Sequence, residues 1–298
     1  MPDWVANALR FAVYADLLIL FGVVAWPFHA RAARSLTPSG RVAAGFAALG
    51  ALVSALAFWA QLAAMSGAGA FAIDRDTAAF VVGDTPMGVA FLIRTAALGA
   101  AAILLWLDRW RVAALALTGV ACVTLAWAGH AAATEGGAGT LHRLSDSGHL
   151  LAAGLWLGAL VILARRLFRP LGADTDIASS VAALRGFAAT GTAIVMTILA
   201  TGAVNLWAII GIDGLRTLPT TLWGLLFGAK IALFGAMLIL AALNRWQLTP
   251  RIEAARRNGD MTTAARAIRT SIALELASAL AILAVVAWLG TLDPTARL

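Results

Sequence analysis

The sequence predicts an all-α fold, a polytopic transmembrane helical bundle of eight helices with both termini on the periplasmic side. Three observations predict it. Of 298 residues, 61% are hydrophobic and only 12% charged, against about 25% charged in soluble domains. The apolar residues fall in runs that reach the roughly 20 residues a membrane-crossing helix needs. The loop arginines alternate from one side of those runs to the other.

The runs occupy approximately 9–29, 42–66, 87–107, 112–132, 145–167, 180–211, 220–244 and 268–290. The first follows MPDWVANALR, where Asp3 precedes Arg10. That is not the basic opening of a signal peptide, so the run is read as a retained helix. After the second run comes SGAGAFAIDRDTAAFVVGDTP, a loop broken by Gly, Asp and Pro and expected to cap the outer mouth. The sixth run is long enough to tilt or to extend past the bilayer. Between the seventh and eighth lies WQLTPRIEAARRNGDMTTAARA, a basic stretch expected to be partly helical. Neither a repeat nor a soluble domain is evident, so 1–298 reads as a single integral membrane domain.

Orientation comes from the arginines. The loops after runs 1, 3, 5 and 7 hold fourteen, and the opposite side holds five. Loops rich in Arg stay in the cytoplasm. The net charge of +7 is therefore a topological signal and not a nucleic-acid footprint. Trp4, Trp26, Trp59, Trp110, Trp127, Trp207, Trp223, Trp246 and Trp288 fall near run ends, where an interfacial belt belongs. Cys122 is the single cysteine and sits in an apolar run. It reads as a small buried hydrophobe.

Three of the four histidines lie in one stretch, GHAAATEGGAGTLHRLSDSGHLLAAGLWLGAL. His130 ends the fourth run; His142, Asp146 and His149 share one helical face at i, i+4 and i+7. Imidazoles suit copper or zinc, and a carboxylate can orient a ring through its second nitrogen. Met65 and Met87, at outer run ends, offer thioethers for Cu(I). The competing reading is a set of interfacial histidines that cap helix ends. His149 lies deeper than that reading favours, because buried polar groups in a bilayer are costly unless used. His29 falls at the opposite face.

Ionisable residues within the runs are Asp16, Arg94, Arg185, Lys230 and Glu275. Such groups pair or face a cavity. Counting 1.5 Å per residue, Asp16 and Arg94 agree in depth within about 2 Å, which predicts a contact. Arg185 and Glu275 are a second candidate pair. Lys230, the only lysine, either bonds carbonyls or Asn205, or lines a polar pathway. Gly154/Gly158 and Gly224/Gly228 are GxxxG spacings, read as packing seams. The sequence shows no P-loop and no nucleophile–base constellation, so an ATP-driven pump or an enzyme is not expected.

Residues 181–251 carry a more specific pattern. Arg185 and Phe187 open a helix and Thr201–Gly202 closes it. Thr221, Trp223, Gly224 and Lys230 follow, then Asn244, Arg245, Leu248 and Pro250. This pattern resembles the CopD family of bacterial inner-membrane copper proteins, with Gly186 inserted and Trp223 in place of the usual Tyr. His149 with Trp156 and Gly158 matches that family's His-x6-Trp-x-Gly helix and widens the resemblance to about 130–290.

The resemblance implies a copper-handling protein of the bacterial inner membrane. Copper, as Cu+ or Cu2+, would be caught at the periplasmic histidines and taken up or transferred, with a periplasmic copper carrier as partner. Lipid surrounds the bundle and no nucleic acid is expected. Two other classes stay open: a haem-binding or quinol-linked electron-transfer protein, since membrane histidines also hold haem, and a non-transporting copper sensor or scaffold.

Overall fold

In a computed structural model of the protein, residues 3–30, 36–67, 73–127, 136–168, 174–216, 218–258, 261–294 and 296 are described. They are helical almost throughout. Helix α1 is Asp3–His29, α2 Gly40–Ser66, α3 Arg75–Asp84 and α4 Pro86–Trp106. Helix α5, Arg111–Val123, runs into a 3₁₀ turn at Thr124–Trp127. Helix α6 is Gly136–Leu167, α7 Asp174–Ile210 and α8 Leu222–Leu243. A π-helical turn, Asn244–Leu248, links α8 to α9, Thr249–Asn258, and α10, Met261–Leu289, follows.

Among the described residues, seven helices are long and apolar enough to cross a membrane. The fourth expected span is shorter than 112–132 requires: its apolar helix covers Arg111–Trp127, and the remainder falls outside the described residues. The loop expected over the outer mouth contains helix α3. Asp74 caps it, accepting from the Thr77 amide at 2.8 Å. Thr85 caps α4 in the same way, with Pro86 in its first turn. Thr221 caps α8 by accepting from Gly224 N–H at 2.9 Å.

Helix α1 packs against α2, α5, α6 and α10, and so belongs to both hydrophobic cores. One core joins α1, α2, α4 and α5 around Leu17, Leu20, Ala47, Leu98 and Ala121. The other joins α1, α6, α7, α8 and α10 around Trp26, Trp156, Ile162, Met237 and Ile272. The α1–α6 crossing is made by glycine. A Cβ on Gly22 would collide with the Gly154 carbonyl, and one on Gly158 with the Gly22 backbone. The first GxxxG spacing is thus a seam. The second is not: Gly224 meets the Leu218 carbonyl of the preceding turn, and Gly228 faces open space.

The tryptophan belt is also partial. Trp4, Trp59, Trp110, Trp207, Trp246 and Trp288 are exposed, whereas Trp26 and Trp223 are buried. Trp26 instead packs edge-on against His29 with ring centroids 5.5 Å apart.

Candidate functional site

Helix α6 carries His142, His149 and Trp156 at seven-residue intervals, one face of a helix with about 10 Å between successive side chains. The face meets α7 through a ladder of polar bonds. Ser145 Oγ donates to the Thr201 carbonyl at 3.0 Å. Asn205 Nδ2 donates to Asp146 Oδ1 at 3.1 Å. His149 Nδ1 lies 3.0 Å from Thr201 Oγ1.

The hydroxyl settles the tautomer of that histidine. Thr201 Oγ1 already donates to the Thr197 carbonyl at 2.6 Å, so towards His149 it can only accept. Nδ1 therefore carries the proton, and Nε2 keeps its lone pair.

His149 lines a cavity of ≈ 380 Å³ bounded by α6, α7, α8 and α10. Its walls include Gly202, Phe227, Lys230, Phe234 and Met237. Lys230 Nζ sits over the Phe227 ring, 5.9 Å from its centroid, and feels the Asp146 charge. It makes no hydrogen bond to Asn205, whose Nδ2 donates to Asp146 while Oδ1 stays buried and unbonded. Lys230 and Asp146 thus stand in one polar stretch of the groove, near enough to interact electrostatically without a direct bond.

A second cavity of ≈ 250 Å³ continues along the same helices towards the α9 end. Trp156 borders both cavities. Its ring packs edge-on against Phe234, with centroids 5.9 Å apart, and forms the partition. The second cavity is lined by Phe187, Thr192, Asn244, Arg245 and Glu275. Glu275 is buried and accepts from Asn244 Nδ2 and from the Trp156 indole.

Several expected arrangements resolve differently. The Asp16–Arg94 pair does not form. Arg94 Nε donates to Thr124 Oγ1 at 2.8 Å and its guanidinium to the Thr124 carbonyl at 3.3 Å, where the 3₁₀ turn frees backbone acceptors. Asp16 points to Gly50 of α2, and neither of its oxygens is bonded. Equal depth fixes position along the helix axis but not direction around it. Glu275 pairs with Asn244 and Trp156, and the Arg185 side chain lies outside the described residues.

Among the described residues, no three His, Cys, Asp or Glu side chains converge as a metal-holding group. His130 lies outside the described residues. His142 is 2% exposed, one interval above His149. Met87 packs against a cluster of Phe58, Leu62 and Val81, and Met65 is exposed at the end of α2. Cys122 donates to the Leu17 carbonyl at 3.2 Å, joining α5 to α1. Sequence reasoning missed Trp156 as a partition and Asn244 as the partner of Glu275. The π turn that aims Asn244 inward has no signature in the sequence.

Fold and groove together define a polytopic helical membrane protein with ionisable side chains gathered along an intramembrane cleft. Comparison with known proteins gives its family. Residues 1–140 match the copper resistance protein D-like N-terminal domain, and residues 181–289 match copper resistance protein D. The chain is 38% identical over 306 residues to copper resistance protein D of Pseudomonas syringae pv. tomato, covering 99% of this chain and 98% of that one. It is 31% identical over 180 residues to the inner membrane protein YebZ of Escherichia coli K12, covering 60% of this chain and 58% of that protein. No solved structure matches. The chain belongs to the copper resistance protein D family, and the likeness reaches the first helices, beyond the 130–290 core expected from motifs.

Proposed function

We propose that this protein binds copper at the His149 end of the groove and passes it along α6, α7, α8 and α10, as part of copper uptake or transfer across the bacterial inner membrane. One observation carries the reading. The Nδ1 of His149 is committed to Thr201, and the ring lines the cavity, which leaves Nε2 as its free nitrogen. That is the state in which a neutral imidazole ligates a soft metal, its other nitrogen held by an outer partner. His142 and Asp146 would supply further donors at the mouth, as would His130 by its place in the sequence, and a periplasmic carrier would deliver the ion there. The name of the full-length relative, copper resistance protein D, supports copper as the cargo.

Lys230 fits this reading as a charge-setting residue. A bare cation beside a copper path would oppose entry, and Asp146 offsets it.

The test is anaerobic Cu(I) loading of the detergent-purified protein, with metal analysis and an absorption spectrum, on the parent and on His149→Ala. Near-stoichiometric copper in the parent, lost in the variant and without a Soret band, supports the proposal. A Soret band removed by His149→Ala would replace copper with haem. Stoichiometric copper that never crosses a proteoliposome membrane would make the protein a sensor or scaffold.

A further inference from the structure

We propose that Glu275, held between Asn244 and Trp156 where the two cavities meet, is a proton-binding site whose occupancy sets the Trp156 partition. The site does not involve the copper residues. It rests on four observations.

First, Glu275 is 2% exposed, on a helix long and apolar enough to cross the membrane, and makes no ion pair among the described residues. An ionisable group at such a depth is costly unless it is paired or used. Among the described residues, the basic groups on the surrounding elements are otherwise placed. Arg245, in the π turn, donates to Thr192 Oγ1 at 3.1 Å. Arg269 of α10 donates to the Leu167 carbonyl at 2.7 Å. On α6, Arg165 and Arg166 lie in the last turn. On α1, His29 is enclosed by Trp26 and Phe187.

Second, both donors to Glu275 are neutral. They hold a carboxylate without neutralising it.

Third, the partner can also accommodate the acid. Asn244 Oδ1 is buried without a hydrogen bond, as is Ser271 Oγ, one turn away from Glu275 on the same helix. A protonated Glu275 becomes an O–H donor, and Asn244 Oδ1 is the acceptor it needs. Amide and carboxylic acid then exchange two bonds, where amide and carboxylate exchange one. The site has partners for both protonation states.

Fourth, the indole that bonds Glu275 is the ring that separates the cavities. Its N–H is held by a charge-assisted bond when Glu275 is ionised and by a weaker neutral one when Glu275 carries the proton. Protonation therefore loosens the partition and ionisation fastens it. The π-helical turn at Asn244 agrees with this assignment, since such turns concentrate at functional sites.

The experiment is dicyclohexylcarbodiimide labelling of the full-length protein in lipid nanodiscs, without copper, across a pH series, with adducts located by peptide mass mapping. Carbodiimide modifies protonated carboxyl groups in apolar surroundings. The expected result is an adduct on Glu275 whose yield falls about tenfold per pH unit above a midpoint. Glu275→Gln abolishes it and Glu275→Asp retains it. Trp156→Phe keeps the ring and deletes the N–H, and moves the midpoint by about one pH unit. Labelling of Asp16, which lies in the other core, does not respond to that change.

Absence of a Glu275 adduct, or a yield indifferent to pH, overturns the proton site. A pH profile untouched by Trp156→Phe overturns its link to the partition. Because no copper is present, either failure is separate from failure of the copper assignment.

Discussion

Asp16 apart, the two halves of the bundle treat their polar groups in opposite ways. In the core of α1, α2, α4 and α5, Arg94 is closed in by Thr124, and Cys122 by the Leu17 carbonyl. Nothing polar there lines the groove. In the half formed by α6, α7, α8 and α10, polar side chains stand along a cleft. The reason is the uneven packing of the helices. Two-thirds of the α6 span is buried, at 67%, against 6% for the span that begins with α8. Helices α7 and α8 both pack on others, α7 mainly on α6 and α8 mainly on α10, and the space between them is the cleft. A bundle becomes a pathway where two neighbours share a floor without sharing a seam.

The two halves are joined at the glycine crossing of α1 and α6, so the largest effect is expected there. Gly22→Val places a side chain into the Gly154 carbonyl, with backbone and no flexible atom to yield. Overpacking of this kind costs about 1–3 kcal/mol. It should lower the thermal midpoint of the purified protein and broaden its size-exclusion peak. Gly228→Val, at a position with open space around it, should leave both unchanged. Equal damage from the two would show that the halves are not joined at this seam.

Within the groove half, Thr201→Val removes the acceptor that orients His149 and preserves shape. Loss of such an outer partner typically lowers metal affinity by about 10–100-fold. Competition titration with a Cu(I) chelator measures this, and full affinity in Thr201→Val would remove Thr201 from the site. Within the packed half, Thr124→Val leaves Arg94 Nε buried without its acceptor. The expected cost is about 1–3 kcal/mol of stability, with copper binding unchanged. A fall in copper binding with no change in stability would reverse the assignment of the two halves.

Much of this was legible in the residues, for reasons that can be stated. Composition and run length dictate a helical membrane bundle, because an unpaired backbone cannot cross lipid. The His149–Trp156 spacing marked the helix that lines the groove. Arginine alternation gives an orientation, with both termini outside, that is still an expectation. Pairings were harder. Asp16 and Arg94 match in depth yet face different neighbours, because run counting supplies no azimuth. Lys230 and Asn205 likewise do not pair: Asn205 Nδ2 turns onto Asp146, and its Oδ1 is left without a donor. Helix α3 was hidden because its apolar pattern is weak, and only the Asp74 cap with Thr77 announces it.

That cap provides the smallest expected effect and tests whether α3 belongs to either half. Asp74 accepts from the side chain and the amide of Thr77, and these bonds hold its carboxyl below the usual carboxylate range. A depressed folded value contributes stability that is present above the unfolded value, and that contribution is lost as pH falls through the folded one. Acid should therefore fray α3 first, by exposing its amides to exchange, while α4, capped by the uncharged Thr85, keeps its protection. Asp74→Ala should produce the same local exchange at neutral pH, with no change in the thermal midpoint or in copper binding. Hydrogen–deuterium exchange resolved to residues 73–90 measures both. If Asp74→Ala altered copper binding, α3 would belong with the groove and would no longer count as an appendage of the packed half.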